Sequence, residues 1–206
     1  MKETQCPVLS PICARIIGAA FAAFMEKGYA GTSTLEIATR AKVSKRDLYA
    51  KFPNKQAVLL ACIRSRARRM RLPPDLPAPR SPEILAATLT SFGTTVIREV
   101  NQPEVTAMFR LAVAEAERSP DVAKALQASR SVNRRALAEL LARAQEAGSL
   151  GPGDPQRMME QFFGLLWGDL MMSRLLGVVP SPAPAEIHKR ARDAAEVFLK
   201  LYANCA

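Results

Sequence analysis

Gly28 to Ala61 reads GYAGTSTLEIATRAKVSKRDLYAKFPNKQAVLLA, and two short helices inside it are marked by their own caps. Ser33 is followed three residues later by Glu36. The serine side chain is placed to accept from the N3 amide and the glutamate to reach back, which opens a helix at Thr34. Leu35, Ile37, Ala38 and Ala41 form its apolar side, and two turns fit before Val43. Ser44 and Asp47 repeat the same spacing and open another helix from Lys45 to Phe52. Two short helices around so tight a turn have helix-turn-helix geometry.

Working outward, Ile12, Ile16, Ala20, Ala23 and Phe24 fall at helical spacing, so a preceding helix with one apolar face ends near Gly28. On the other side, Asn54 and Lys55 cap and open a fourth helix. In the helix that starts at Lys45, Leu48 and Phe52 are i and i+4 and face the core, which turns Lys45, Arg46, Tyr49 and Ala50 outward. Two cations, a phenol and a small residue at a helix start suit entry into the major groove of DNA, where the first residues of a helix reach base edges and phosphates.

Charge points the same way. The chain of 206 residues carries +10; residues 1–71 hold 14 Lys and Arg against 4 Asp and Glu, and residues 72–206 hold 15 against 15. A basic first third beside a neutral remainder indicates that the first part meets a polyanion, nucleic acid first and an anionic membrane surface second. Arg64, Arg66, Arg68, Arg69 and Arg71 supply half of that excess. A helix from Lys55 to Arg69 is about 22 Å long, which carries them away from the groove-facing helix and toward a helix C-terminus or the junction between domains.

The quoted stretch closely resembles the N-terminal signature of the TetR family of bacterial regulators, from the Gly-Tyr after the first helix to the Phe-x-x-Lys that opens the fourth. The resemblance implies that Thr32, Ser33 and Thr34 lie near the phosphate backbone, that Lys45, Arg46 and Tyr49 form the reading face with Ser44 at its start, and that Lys55 binds phosphate. Two positions depart from the pattern. Lys42 stands where a turn glycine is usual, leaving open whether that residue is strained or avoids positive φ, and Arg46-Asp47 replaces a small pair, leaving the operator sequence open. Further on, MFRLAVAEAERSPDVAKAL, residues 108–126, resembles the AefR-like branch. That implies a dimer formed by the last two helices and a small, apolar effector held among the helices of this part.

Leu72 to Pro82 (LPPDLPAPRSP) cannot continue a helix, since proline lacks the amide donor, and sets a domain boundary. The expected organisation is a helix-turn-helix domain with its connecting helix over residues 1–71 and a ligand-binding and dimerisation domain over 82–206. Helical patterns follow from about Pro82 to Val100, Pro103 to Arg118, Pro120 to Ala147, Pro155 to Leu176 and Ala185 to Ala203, four of them opening on a proline suited to the first turn. Gly148 to Gly153 and Pro180 to Pro184 are breakers, no strand-type alternation appears, and the fold class is all-α.

Within the second domain Phe162, Phe163, Leu166, Trp167 and Leu170 make one helix apolar around much of its circumference, and Gly164 and Gly168 permit close approach of another helix. With Phe198 and Leu201 of the last helix, Phe162, Leu166 and Leu170 are the expected dimer contacts, completing a four-helix interface by symmetry. Phe92, Phe109, Phe163, Trp167 and Met171 are the candidates for lining an effector pocket.

Several classes are excluded. The apolar run from Phe162 to Val179 is interrupted by Asp169 and Arg174 and reads as a buried helix rather than a membrane span. The N-terminus MKETQCPVLSPIC has no secretory pattern, so a cytoplasmic protein is expected. Cys6, Cys13, Cys62 and Cys205 show neither C-x-x-C spacing nor a nearby histidine, so reduced thiols and no metal are expected, with a Cys6–Cys13 redox pair as the minor alternative. No phosphate loop, zinc box or nucleophile elbow is present and His188 stands alone beside Lys189 and Arg190, which favours a regulator without cofactor over an enzyme. The expected partners are an operator in double-stranded DNA, a second copy of the chain and the effector.

Overall fold

Proline placement sets the helix starts: Pro11, Pro82, Pro103, Pro120, Pro155 and Pro184 each occupy the first position of a helix, where a missing amide costs nothing. The computed structural model describes residues 10–73, 76–114, 116–117 and 120–203, and among these there is no strand. The helices are α1 (Pro11–Lys27), α2 (Thr34–Ala41), α3 (Lys45–Lys51), α4 (Lys55–Ala67), α5 (Pro82–Val100), α6 (Pro103–Ala114), α7 (Pro120–Glu146), α8 (Pro155–Trp167), α9 (Leu170–Leu176) and α10 (Pro184–Leu201), with a 3-10 turn at Arg68–Met70.

Packing divides the chain into two compact units, Met1–Arg68 with Ala107–Ser129, and Arg69–Thr106 with Arg130–Ala206. In the first, α1 packs against both α2 and α4, and α2 against α3. Ile16, Ala20 and Phe24 of α1 meet Ile37 of α2, Leu48 of α3, and Leu59 and Ile63 of α4, all of them buried. Met108 and Ala112 of α6 and Val122 of α7 belong to the same core, so the second half of α6 and the start of α7, expected in the second domain, pack with the first unit. The apolar stripe of α6 decides this, and no proline or glycine advertises it.

Cys13 is disulfide-bonded, which corrects the expectation of reduced thiols at that position. Cys62 is a free, buried thiol that donates to the Ile17 carbonyl at 3.6 Å. Burial among apolar side chains pushes it up to about 12. Cys6 and Cys205 lie outside the described residues.

In the second unit α5 and α10 pack along each other, with Gly93 of α5 against Ala191 of α10. A methyl group there would stand 2.9 Å from Leu166 Cδ1 and 3.2 Å from Ala191 Cβ. An aromatic chain runs from Phe92 to Phe163, Phe162, Phe198 and Tyr202 with ring centroids 5.1–6.1 Å apart. The expected helix from Pro155 to Leu176 is broken at Gly168, whose φ of 45° and ψ of −128° only glycine adopts readily, and continues as α9. Beyond the break Arg174 donates to Asn101 Oδ1 and to the Val179 carbonyl, both at 2.9 Å, which explains how a charge is accommodated in so apolar a run. No helix among the described residues is long and apolar enough to cross a membrane.

Phe162, Leu166 and Phe198 have no exposed surface in the protomer itself. They were expected at a dimer interface, and the structure corrects this: the aromatic chain places them in the protomer's own core. Leu170 is half-buried and Leu201 is 60 % exposed.

Candidate nucleic-acid interface

Local capping builds this site. Ser33 accepts from the Glu36 amide at 3.1 Å and starts α2. Ser44 accepts from the Asp47 amide at 3.0 Å while Asp47 Oδ2 accepts from the Ser44 amide and hydroxyl at 3.3 and 2.6 Å, a complete capping box at the start of α3. These hydrogen bonds hold the Asp47 carboxyl below its ordinary value. Between the caps, Lys42 turns the chain at φ 53° and ψ 48°, the only non-glycine residue at positive φ among the described residues, and its amide bonds to the Ala38 and Thr39 carbonyls. The turn that glycine usually makes is therefore made here by lysine.

Leu48 is the only residue of α3 that is buried, and Phe52 just after the helix is 4 % exposed. That single anchor fixes the helix's rotation and leaves Lys45, Arg46, Tyr49 and Ala50 exposed, as the i and i+4 spacing requires. Lys45 Nζ lies 5.9 Å from the centre of the Tyr49 ring. The Tyr49 hydroxyl and Thr34 Oγ1 are 2.9 Å apart and share a hydrogen bond. The first turn of α2 is thus tied to the middle of α3, and Ser33, Thr34, Ser44, Lys45, Arg46 and Tyr49 come together.

Two expected residues are occupied inside the protein. Thr32 is 2 % exposed, and its hydroxyl donates to the Gly28 carbonyl at 2.8 Å and lies 3.1 Å from that of Ala23. This corrects its assignment to the phosphate backbone: the hydroxyl closes the end of α1, where helix carbonyls lack intrahelical partners. Lys55 Nζ donates to the Tyr29 and Thr32 carbonyls at 2.7 and 2.8 Å and lies 4.4 Å from the centre of the Tyr29 ring. Two of its three donors therefore clamp the α1–α2 connection onto α4. Leu35, expected on the apolar side of α2, is 60 % exposed, because Ile37, Ala38 and Ala41 alone face the core.

Sequence spacing missed a charged cluster that braces α2. Arg40 reaches Glu26 of α1 at 2.6 Å and Glu36 at 2.7 Å, and Lys27 reaches Glu36 at 2.8 Å. The hydrogen bond to Arg40 leads in lowering Glu26, and that to Lys27 in lowering Glu36. Only the Glu36–Arg40 pair, four apart on one helix, has a local signal. Of the arginines at the end of α4, Arg66 stacks on the Phe21 ring at 4.3 Å, a structural contact within the first unit.

Of the pocket candidates, Phe92 and Phe163 touch in the aromatic chain, with Arg134 over the Phe163 ring at 5.4 Å. Trp167 and Met171 are half-buried in the same unit, and Phe109 belongs to the first unit. None of the five lines the cavity beside Leu165 and Val197, that beside Asn133 and Leu140, or that beside Thr90 and Ala195.

The comparisons with known proteins cover both units. Residues 16–62 match the model of bacterial regulatory proteins of the tetR family, and residues 87–204 match that of the AefR-like transcriptional repressor C-terminal domain. A TetR transcriptional regulator from Agrobacterium tumefaciens is 26% identical with a TM-score of 0.79, the match covering 94% of this chain and 95% of that one. A TetR-family regulator from Mesorhizobium loti is 27% identical with a TM-score of 0.77 over 93% and 96%. The flavonoid-responsive regulator FrrA is 29% identical with a TM-score of 0.74 over 95% and 98%. No curated protein matches the chain.

Proposed function

Because the chain belongs to the TetR family of transcriptional regulators, in its AefR-like group, we propose that it is a dimeric repressor that leaves its operator when a small, largely apolar effector binds. Sequence-specific DNA binding and response to a ligand follow from the family. Repression, the apolar character of the effector, action in the cytoplasm and a target such as an efflux or stress-related operon are this proposal's own. A flavonoid-responsive neighbour supports a small organic effector.

The observation that carries the reading is the rotation of α3, which buries Leu48 and presents Lys45, Arg46 and Tyr49 together. Lys45 and Arg46 supply charge and bidentate reach toward base edges, and Ala50 lets the helix approach closely. Ser33, Thr34 and Ser44, at the starts of α2 and α3, are the side chains assigned to phosphates, which position without specifying sequence. Lys55 acts mainly by holding Tyr29 and Thr32, and through them the angle of α2.

A second copy is assigned to the outer face of α8 and α10. Leu165, Val197 and Leu201 provide its apolar surface, Val197 being 43 % exposed, and Gly164 has open space above its Cα. Two reading heads then meet half-sites about 34 Å apart or a multiple of that, so the operator is expected to be palindromic.

A footprint of the DNA upstream of the gene, at stated salt, tests the residue assignment. Protection by the wild type is expected to vanish when Lys45 and Tyr49 are both changed to alanine, with the helical circular dichroism unchanged. Protection that persists in the double variant overturns the reading face.

A further inference from the structure

Leu72, Pro73 and Leu76, between α4 and α5, lie against α7 over a cavity of about 240 Å³, whose other side is formed by Asn133, Ala136 and Leu140. Leu72, Asn133 and Leu140 are 8 %, 8 % and 1 % exposed, so the inner wall is closed and apolar except for one amide. That amide is incomplete: Asn133 Oδ1 is buried with no hydrogen-bond partner. About nine-tenths or more of buried polar groups in folded proteins are paired, and an exception facing a cavity asks for a partner that enters it. Arg143, which also lines the cavity, donates to the Leu76 carbonyl at 2.7 Å.

We propose that this cavity is a binding site for a neutral molecule of one aromatic ring bearing a hydroxyl, phenol being the simplest member of the class. Size sets the ring: apolar cavities of about 150 Å³ hold benzene and drug-sized pockets begin near 300 Å³, so this one takes a single ring with one substituent. Leu72 and Leu140 set its neutrality. An ionised group would lose its hydration against them. The amide sets the hydroxyl, which donates to Oδ1 and, being an acceptor as well, also suits the amide turned end for end. This deepens the proposed effector response and rests on it for its biological purpose, but places the ligand at Asn133 rather than among Phe92, Phe163, Trp167 and Met171.

The test titrates the full-length dimer with phenol and with toluene, which has the same shape and no hydroxyl, while amide NMR shifts and operator affinity are followed in the same samples. Phenol is expected to shift Asn133, Ala136 and Leu140, and to bind about tenfold more tightly than toluene, the difference one neutral hydrogen bond makes. In Asn133→Leu that preference is expected to disappear. In Ala136→Phe, which fills the cavity from the same helix face, both ligands are expected to be excluded, so the outcome does not depend on one variant folding. Equal binding of phenol and toluene by the wild type, or shifts centred on Phe163 and Trp167, overturns the site. Absence of phenol binding in a protein that still binds its operator overturns the site and leaves the regulator standing. Occupancy without any change in operator affinity supports the site and overturns its role in the effector response.

Discussion

Lys42 carries the cost of a left-handed turn that glycine would make freely. A Cβ in that conformation costs about 1–2 kcal/mol, and glycine gives back part of this through the greater freedom of its unfolded chain. Lys42→Gly is therefore expected to stabilise the first unit by about 0.5–1 kcal/mol, read as a higher urea midpoint at unchanged slope. The amide bonds to Ala38 and Thr39 need only backbone and remain. Retaining a strained lysine in the turn before the reading helix is intelligible if its exposed ammonium helps hold DNA, and the same variant then weakens operator binding with a shallower salt dependence.

At the scale of the element, exposed ion pairs to Glu36 and Arg40 add to the three buried side chains that hold α2. Glu26, Glu36 and Asp47 all lie below their ordinary values in the folded protein. A carboxyl lowered on folding contributes stability above its unfolded value, and that contribution is lost as pH falls through the folded one. The melting temperature of the first unit is thus expected to be level from neutral pH to about 5 and to fall below about 4.5. Glu36→Gln should flatten the fall, and added salt should reduce the effect, since these groups face solvent. The elements themselves were largely legible because caps, proline starts and the i and i+4 spacing of Leu48 and Phe52 act within a turn or two. What escaped depends on distant partners. Thr32 and Lys55 look like polar surface residues until the carbonyls of Ala23, Gly28 and Tyr29 are brought beside them. Phe162, Leu166 and Phe198 look like an interface until α5, α8 and α10 pack together around them. A glycine inside an apolar helix signals a break at Gly168 and none at Gly164, and only the packed structure tells them apart.

For the whole molecule, the open face of α8 and α10 predicts assembly. Val197→Glu places a charge in the middle of that face without touching the protomer's core, and is expected to yield a monomer in sedimentation that stays folded and loses operator affinity steeply. A dimer that survives the change places the interface elsewhere. The buried thiol of Cys62 offers another view of the same molecule. It sits where α1 meets α4, donates to the Ile17 carbonyl and is raised to about 12, so it is neither accessible nor ionised while the first unit is closed. Its alkylation then requires the unit to come apart, and the rate at which it is labelled counts those openings. Operator DNA, by binding only the closed form, should slow that clock in proportion to its own occupancy. The protein thus carries a built-in reporter of how often its reading head breathes.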